Sequence, residues 1–470
     1  MDNEAICRMS ALEMRTAIGS KKISPLEIMD VILHRIERIN PKINAYCTIA
    51  DNARDEAKKA ERKVMMNEPL GPLHGVPISI KDLIFTKGIR TTGGSKIYEK
   101  FIPDTDAIAV ARLKNAGAIV IGKTNTPESG WVAVTTNPLF GATKNPWNLQ
   151  KTSGGSSGGA ASAVAACMGP VAIGTDGGGS IRIPSSFCGV FGLKPSFGLV
   201  PQWPTFPGLW EGLSVTGPIT RTVQDAALLL EIIAGYDNHD MFSIPFEIPK
   251  YTLAMNDDLK GMRIAWSSNL GYASVDNEVQ QITESAVKVF MRLGCEVEAT
   301  HPDVSSPVEA FTTQVAAAVH ASLDDKLEDW GNHFDPGLKR YVESNTGILA
   351  NEYIKARMKH LLYWEKMRNF FEIYDLLITP TVAVPAFDVQ YYGPKEVNGK
   401  NIQPLGWMPF TYPFNITGQP AASLPCGFTA NGLPVGLQII GRKFDEVSVL
   451  KAAAVFEKVR PWANNYPPLV

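Results

Sequence analysis

The sequence has no surplus of charge of either sign: 45 basic and 47 acidic residues leave its 470 residues with a net charge of −2. A protein that binds DNA, RNA or another polyanion usually carries a basic excess, so we expect no nucleic-acid partner. No run of about 18 apolar residues occurs, so we expect no membrane-spanning helix and no membrane partner. The first residues, MDNEA, also lack the basic-then-apolar order of a signal peptide, so the expected location is the cytoplasm.

Cysteine and metal-binding motifs are equally scarce. The six cysteines are widely scattered without a CxxC pair, and a chain this long does not need disulfides to stabilise its core, so we expect reduced thiols. The sequence contains neither HExxH nor a Cys/His cluster, and it therefore predicts no metal and no other cofactor. The cysteines are Cys7, Cys47, Cys167, Cys188, Cys295 and Cys426.

Strands and helices alternate along most of the chain. Apolar periodicity predicts strands at 76–80, 118–121, 171–173, 262–266, 295–299, 376–378 and 436–440, and helices at 105–115, 160–167 and 279–293. This alternation is typical of an α/β fold, and we predict a single large domain with a mixed β-sheet core and α-helices on both faces. The hydrophobic share of 45% and the charged share of 20% match an ordinary globular enzyme.

The predicted domain covers the whole chain, 1–470. It is divided into N-terminal helices (1–70), a core with glycine-rich motifs (71–235) and the remainder of the sheet with its covering helices (236–470). Ser10 and Ser24 each begin a capping box, which predicts a helix start at both places. The polar stretch 236–260 is predicted to be a linker or a long surface loop.

The first glycine-rich motif, GAIVIGKT at residues 117–124, matches the phosphate-binding pattern GxxxxGK[ST] letter by letter. A phosphate-binding loop lies between a strand and a helix whose first amides face the phosphate. Here the four variable positions are themselves typical of a strand, and the residues that follow, 125–127, indicate a turn. Nucleotide binding through Lys123 stays an alternative that this context disfavours.

A second motif, GGSSG at residues 154–158, matches the GxSxG elbow of α/β-hydrolases. That elbow needs a strand before the serine and a histidine later in the chain. The preceding residues 145–153 are polar and turn-like, so we expect no strand there. The downstream histidines stand in no recognisable context: His239, His301, His320, His333 and His360. We therefore interpret the motif as a tight loop that leads into a helix, with Ser156 at its centre.

A third motif, GTDGGGSIR at residues 174–182, directly follows a predicted strand. Consecutive glycines allow backbone angles at which several N–H groups converge on one point. Ser180 would then have its hydroxyl beside an oxyanion hole, as a serine nucleophile requires, although a bulged structural turn is the alternative. Ser156 lies 24 residues before Ser180, and the helix and strand between them can bring both serines to one end of the sheet.

Lys81 stands at the end of a predicted strand, within GVPISIKD at residues 75–82. A lysine at a buried strand end is costly unless it is neutral or paired. Desolvation can lower its pKa from ~10.4 towards ~7–8, and the neutral amine is then a base. Because no histidine has a usable context, Lys81 is the candidate base. Cys188, in the apolar run FCGVF, is interpreted as a core residue and not as a nucleophile.

Together these motifs resemble those of the amidase signature family. The resemblance spans nearly the whole chain and rests on GVPISIKD (75–82), GGSSGG (154–159), GTDGGGSIRIP (174–184), FCG (187–189), GLKP (192–195) and GLPVGLQIIG (432–441). It implies an amidase, a serine hydrolase of linear amides, with a Ser–cis-Ser–Lys triad. In that triad Ser180 attacks the carbonyl, Ser156 follows a cis peptide bond and relays the proton, and Lys81 is the base.

The same resemblance implies the groups that hold the substrate. The oxyanion hole is expected to be formed by the backbone amides of Gly177, Gly178, Gly179 and Ser180. The bound acyl group is expected to be bordered by Gly130 and Trp131. Water hydrolyses the acyl-enzyme, so the expected partners are a small-molecule amide and water. The chain is expected to act as a monomer or a homodimer.

Aromatic residues suggest the substrate class. Trp131 and the loop 202–212, which contains Trp203, Phe206 and Trp210, favour a pocket for hydrophobic acyl or arylamine groups. The alternative is that these rings are packed core. The second functional prediction is the glutaminase (A) subunit of a tRNA-dependent amidotransferase, in which the family normally has a more polar segment here. Carbamate cleavage and the role of an inert amidotransferase partner also stay open.

Overall fold

The computed structural model describes residues 2–206, 210, 212–255 and 258–469. Its strands are β1 (Tyr46–Ile49), β2 (Pro77–Lys81), β3 (Ile119–Thr124), β4 (Lys144–Asn145), β5 (Asn148–Thr152), β6 (Val171–Asp176), β7 (Phe191–Lys194), β8 (Val215–Thr220), β9 (Arg263–Trp266), β10 (Glu296–Ala299), β11 (Leu376–Pro380), β12 (Glu396–Val397), β13 (Lys400–Asn401), β14 (Ala421–Phe428) and β15 (Pro434–Gly441).

The α-helices of the described residues surround these strands. They are α1 (Asn3–Arg8), α2 (Ala11–Gly19), α3 (Pro25–Ile43), α4 (Ala53–Met65), α5 (Ile108–Asn115), α6 (Gly158–Ala165), α7 (Arg182–Cys188), α8 (Val223–Ile233), α9 (Tyr251–Ala254), α10 (Asn277–Arg292), α11 (Val308–Leu323), α12 (Leu327–Trp330), α13 (Pro336–Ser344), α14 (Ala350–Ile373), α15 (Pro413–Ile416) and α16 (Glu446–Val459).

Within the described ranges, eleven strands form one mixed sheet in the order β1-β3-β2-β6-β8-β7-β14-β15-β11-β9-β10. β2 runs parallel to β3 and β6, and β9 runs parallel to β10 and β11, whereas the other neighbouring pairs are antiparallel. Helices pack on both faces of this sheet. The predicted fold, a single α/β domain with a mixed sheet, is confirmed, and the division at residues 70 and 235 stays a prediction.

The strand β2 determines where the candidate base lies. It is flanked by two parallel neighbours, with Ile80 opposite Ile173 of β6 and Lys81 opposite Thr124 of β3. All of its residues are buried. Because the carboxyl ends of adjacent parallel strands meet at one edge of the sheet, Lys81 lies beside the end of β6, where the third glycine motif continues.

The locally encoded elements agree with the sequence. The predicted strands and helices are present, with shifts of a few residues at their ends. Ser10 Oγ accepts a hydrogen bond from Glu13 N (3.1 Å) in a reciprocal capping box, and Ser24 Oγ accepts one from Glu27 N (3.0 Å). The described part of 236–260 is irregular, as predicted, apart from the single turn of α9.

The helices that periodicity did not predict include α11, α13 and α14. In α14, Tyr363 and Met367 are buried, but Met358, Leu361 and Leu362 are about 60% exposed. Apolar residues therefore occur on both the inner and the outer face, and the 3.6-residue pattern that marks an amphipathic helix is lost. These helices matter because they form one wall of the cavity described below.

Two further expectations from the sequence concern the cysteines and membrane-spanning helices. All six cysteines are unbonded thiols. Cys188 is fully buried, and burial raises the pKa of its thiol to about 12, so its interpretation as a core residue is confirmed. Among the helices in the described part of the chain, none combines the length and the apolar character needed to cross a bilayer.

Candidate active site

Lys81 is fully buried at the carboxyl end of β2, and its amine faces two hydroxyl groups. Its Nζ lies 2.6 Å from Ser156 Oγ and 2.9 Å from Thr175 Oγ1. Burial lowers the pKa of Lys81 well below its usual range, and the nearby charge of Asp176 only partly opposes this shift. The amine therefore loses its proton far more readily than a surface lysine does, and it can accept one from Ser156.

The loop that carries Ser156 has the backbone conformation expected of it. The peptide bond between Gly155 and Ser156 is cis, as predicted. Thr135 Oγ1 donates to Gly154 O (2.9 Å) and accepts from Gly158 N (3.0 Å), so one side chain ties both ends of the loop. A Cβ on Gly155 would lie 2.6 Å from the backbone of Val134, so this position accepts only glycine.

The expectation of no strand before this loop was wrong, since β5 directly precedes it. However, β5 pairs with β4 in a separate two-stranded ribbon and does not join the main sheet. Ser156 is therefore not at the tip of a central strand, and its hydroxyl faces Lys81 instead of a histidine. The interpretation of GGSSG as a tight loop that leads into a helix is confirmed by α6, which begins at Gly158.

Asp176 organises the third glycine motif. Its carboxylate accepts hydrogen bonds from Gly179 N (2.8 Å) and Ile181 N (3.1 Å), and it forms a fully buried ion pair with Arg182 (2.9 Å). Asn415 Nδ2 donates to the same carboxylate (2.9 Å). Burial by itself would raise the pKa of Asp176, but the Arg182 guanidinium holds that pKa well below its usual range.

The backbone amides of the glycine motif are not all equivalent. The N–H of Gly179 is engaged by Asp176, and Gly179 has a φ of +128°, which favours glycine. The N–H groups of Gly177, Gly178 and Ser180 make no hydrogen bond to any residue that the structure describes. Three of the four amides predicted for the oxyanion hole therefore have no partner among the described residues, whereas the fourth, that of Gly179, anchors the loop instead.

Ser180 lies next to the loop of Ser156 and opens onto a large cavity. Its carbonyl accepts a hydrogen bond from Ser157 N (3.1 Å), which joins the two serine-bearing loops. The cavity has a volume of about 1050 Å³, and Ser180 and Gly178 line it together with Gly130 and Trp131. The structure thus brings Lys81, Ser156 and Ser180 to one edge of the sheet. Gly130 lies beside them, since a Cβ on it would be 3.4 Å from Ser156 Oγ, and Trp131 follows it in the cavity lining.

The aromatic residues of the loop 202–212 do not share one role: Trp210 lines the cavity, whereas Trp203 is 39% exposed and so is neither cavity lining nor packed core. Trp210 lines the cavity, and a Cβ on Gly177 would lie 2.7 Å from its indole, so the ring packs on the glycine motif. Trp203 instead stacks on His239 at 4.6 Å, away from the cavity. Phe206 packs against Phe85, with ring centroids 4.9 Å apart. Residues 207–209 and 211 of this loop lie outside the described residues.

Lys123 has a structural environment that excludes the nucleotide-binding alternative. It lies within β3 and not in a loop, and it is fully buried. Its Nζ donates to Thr86 Oγ1 (2.9 Å) and Thr91 Oγ1 (3.0 Å). The GxxxxGK[ST] match is therefore fortuitous, because neither a phosphate loop nor an accessible amine is present at this place.

Two residues of the site were quoted within a motif but not recognised from the sequence. Thr175 and Asp176 both lie in GTDGGGSIR, and each contacts a predicted site residue: Thr175 accepts from Lys81 Nζ, and Asp176 accepts from Gly179 N. The signal for Asp176 was available, because an acidic residue inside an apolar and glycine-rich stretch needs a buried partner, and Arg182 follows six positions later. Thr175 gave no such signal, because a threonine at a strand end is common.

Comparison with known proteins agrees with this geometry. A family model described as Amidase matches residues 27–450. An acylamidase of Rhodococcus erythropolis is 41% identical over 465 residues, which cover 98% of this chain and 97% of that protein. The A subunit of the glutamyl-tRNA(Gln) amidotransferase of Geobacillus thermodenitrificans strain NG80-2 is 38% identical over 490 residues, which cover 97% of this chain and 98% of that protein.

Solved structures give the same result. A bacterial aryl acylamidase of the amidase signature family has a TM-score of 0.90 and 33% sequence identity, covering 97% of both chains. The 6-aminohexanoate cyclic dimer hydrolase has a TM-score of 0.88 and 30% identity, covering 98% of this chain and 99% of the other. The family match, the full-length relatives and the structural neighbours agree, and the chain therefore belongs to the amidase signature family and is an amide-hydrolysing enzyme.

Proposed function

We propose that this enzyme hydrolyses amides with an apolar or aryl acyl group through an acyl-enzyme formed on Ser180. The observation that carries this proposal is the 2.6 Å contact between the buried Lys81 amine and Ser156 Oγ, beside a cavity lined by Ser180. A desolvated amine that can accept a proton is the group that a hydroxyl nucleophile needs. The expected location in the cytoplasm and the expected monomer or homodimer stay predictions of the sequence.

In the proposed acylation step the three side chains act in sequence. Ser180 Oγ attacks the amide carbon and passes its proton to Ser156 Oγ, while Ser156 passes its own proton to Lys81 Nζ. The carbonyl oxygen becomes an oxyanion, which the N–H groups of Gly177, Gly178 and Ser180 bind. When the intermediate collapses, the C–N bond breaks, and the proton returns from Lys81 through Ser156 to the leaving amine.

Deacylation repeats these steps with water as the nucleophile. Water attacks the ester carbon of the acyl-enzyme and gives up a proton through Ser156 to Lys81. The same amides hold the oxyanion, the C–O bond to Ser180 breaks, and the proton returns to Ser180 Oγ. The products are a carboxylic acid and a free Ser180, and no group outside the chain and its substrates is consumed.

The apolar character of the cavity supports an apolar acyl or aryl group. Trp131, Phe311, Tyr341, Tyr392 and Met408 all line it. Burial of such a group against aromatic rings contributes favourably to binding. The charged residues that also line the cavity, Glu309, Glu352, Lys355 and Lys359, are all exposed. Two similar proteins are named acylamidase and aryl acylamidase, which supports an acyl amide as the substrate.

The proposal is tested by covalent labelling. The purified chain is incubated with a fluorophosphonate and the intact protein is weighed. One adduct is expected, located on Ser180, and it should be lost in Ser180→Ala and strongly slowed in a variant that lacks the Lys81 amine. Absence of an adduct on the folded wild-type chain would reject the serine mechanism.

A second candidate is the glutaminase subunit of a tRNA-dependent amidotransferase, which is favoured by relatives that are 34–38% identical over nearly the whole chain. It is separated from the first candidate by a substrate panel of aryl amides, aliphatic amides, carbamates and glutamine. Turnover of aryl amides by the chain alone supports the amidase. Turnover of glutamine only, or only with added subunits, supports the amidotransferase, and the carbamate result decides between amide and carbamate preference.

The proposed base predicts the direction of the pH dependence. Only the neutral Lys81 amine accepts a proton, so kcat/KM for an aryl amide should rise with pH and reach a plateau. Because burial lowers the pKa of Lys81, the midpoint should lie below the value of ~10.4 for an exposed lysine. A profile that is flat from acid pH upwards would contradict a lysine base.

Thr175 is expected to orient the Lys81 amine and to tune its pKa. Thr175→Val removes the hydroxyl 2.9 Å from Nζ but keeps the shape of the side chain. We expect kcat to fall about tenfold, the effect of one lost hydrogen bond to a reacting group. The rising limb of the pH profile should also shift to lower pH, because the charged amine loses an acceptor. Thr175→Ser, which keeps the hydroxyl, is the control and should behave like wild type.

A further inference from the structure

A buried carboxylate that the proposed mechanism does not use lies directly before the segment that borders the cavity. Glu128 is 1% exposed and begins a short turn that ends at Gly130, next to Trp131. Its Oε1 accepts a hydrogen bond from Ser95 Oγ (2.6 Å), and its Oε2 accepts one from the backbone N–H of Asp335 (2.6 Å). Both oxygens are therefore occupied by the protein itself.

The burial of the Glu128 carboxylate costs free energy, so its presence at this position needs an explanation. Burial, with a smaller contribution from the charge of Asp335, raises the pKa of Glu128 to about 7, although its hydrogen bonds lower it. An apolar residue at this place would avoid that cost, but it would leave the N–H of Asp335 without an acceptor. The carboxylate is best explained by what it holds in position.

Asp335 begins the helix that forms one side of the cavity. Its Oδ1 accepts from the backbone N–H groups of Gly337 (2.8 Å) and Leu338 (3.1 Å), so it caps α13. The hydroxyl of Tyr392 donates to both of its carboxylate oxygens, at 3.1 Å each. Through Asp335, Glu128 therefore holds both the start of α13 and the ring of Tyr392.

The same three segments enclose the indole of Trp131. Its ring centroid lies 5.9 Å from that of Tyr341, on α13, and 5.6 Å from that of Tyr392. A Cβ on Gly337 would lie 2.8 Å from Cζ2 of the indole, so the helix backbone touches the ring. Trp131, Tyr341 and Tyr392 all line the cavity that contains Ser180, and we call them the aromatic wall.

We infer that Glu128 is a positioning residue for substrate selectivity. By holding Asp335 and α13 against the turn before Trp131, it sets the spacing of the aromatic wall and thereby the affinity for bulky acyl groups. This inference rests on the proposed function, because it takes the cavity beside Ser180 as the place of the acyl group. The inference thus assigns a role to residues that touch no reacting atom and that act through Trp131.

Two variants test the inference from opposite sides of the indole. Glu128→Leu removes both acceptors, and Glu128→Gln is its matched control, because its amide oxygen can accept from Asp335 N while its amide nitrogen donates to Ser95. Gly337→Ala pushes on the indole from the helix. Alanine favours a helix more than glycine does, so this variant is expected to fold even if Glu128→Leu does not.

The measurement is the inactivation of Ser180 by two fluorophosphonates, one with a methyl and one with a phenylpropyl group on phosphorus. We expect Glu128→Leu and Gly337→Ala to raise KI for the phenylpropyl probe about tenfold, the effect of one unmet buried hydrogen bond or one tight contact. The KI for the methyl probe and both maximal rates should stay within about twofold, and Glu128→Gln should match wild type.

The outcomes separate this inference from the proposed function. If neither probe labels wild-type Ser180, the proposed function fails. If wild type is labelled but Gly337→Ala and any folded Glu128→Leu keep the wild-type ratio of the two KI values, the inference is overturned. A parallel loss with both probes would also overturn it, because it would indicate a general structural role and not a role in selectivity.

Discussion

Lys81→Met is expected to lower kcat/KM by about 10⁴-fold while the folded protein keeps or gains stability. The activity is lost because Ser156 no longer has a proton acceptor, and removal of one member of a nucleophile–base unit has effects of this size. The stability is kept because methionine has nearly the length of lysine and places no amine in a fully buried site. The measurements are steady-state kinetics and urea denaturation.

The control for this prediction is a second buried lysine that lies outside the site. Burial lowers the pKa of Lys194 to about 7, and its Nζ donates to Pro195 O (3.1 Å) without contacting a catalytic group. Lys194→Met should keep kcat/KM within a few-fold of wild type. Ser180→Ala should be about as inactive as Lys81→Met, and the double variant should lose little more, because the residues act as one unit.

Asp176→Ala is expected to reduce both stability and activity strongly. It leaves the fully buried Arg182 guanidinium without its ionic partner, and breaking a buried pair in this way costs about 3–5 kcal/mol. It also frees the N–H groups of Gly179 and Ile181, so the glycine motif loses two anchors. Since loss of a single oxyanion donor costs about 10²–10³-fold in kcat, we expect a fall of at least this size.

Two controls distinguish the stability effect from the catalytic one. Asp55→Ala removes the partner of an exposed ion pair with Lys58 and should change the free energy of unfolding by less than about 1 kcal/mol. Asp176→Leu combined with Arg182→Met removes both buried charges, so it should recover part of the lost stability. It should not recover kcat, because the amides of the glycine motif stay without their acceptor.

The pH dependence of the Asp176 effect follows from its lowered pKa. In the folded state the pKa lies below its value in the unfolded chain, so the ionised carboxylate stabilises the fold above about pH 4. That contribution declines as the pH falls through the folded-state pKa. The difference in unfolding free energy between wild type and Asp176→Ala should therefore be full at pH 7 and smaller in strong acid.

Much of the fold and the triad could be predicted from the sequence, because they depend on local signals. The period-two apolar pattern around residue 78 and the glycines near Ser156 and Ser180 are properties of short segments. Lys81 was recognisable because a lysine at the end of an apolar strand contradicts the strand's own pattern. The order of these motifs along the chain then indicated the family and its amide-hydrolysing activity.

The residues that hold the active site in position could not be predicted from the sequence, because their contacts depend on the tertiary structure. Glu128 accepts its hydrogen bond from Asp335, 207 residues away, and Asn415 reaches Asp176 from 239 residues away. Such contacts form only when distant segments pack together, and neither partner carries a local signal of the other. Helix α14, which lines the cavity, could not be predicted from its apolar pattern, because exposed apolar residues mask the face that it buries. Local chemistry thus determined which groups react, and packing decided what holds them and the wall of the cavity in place.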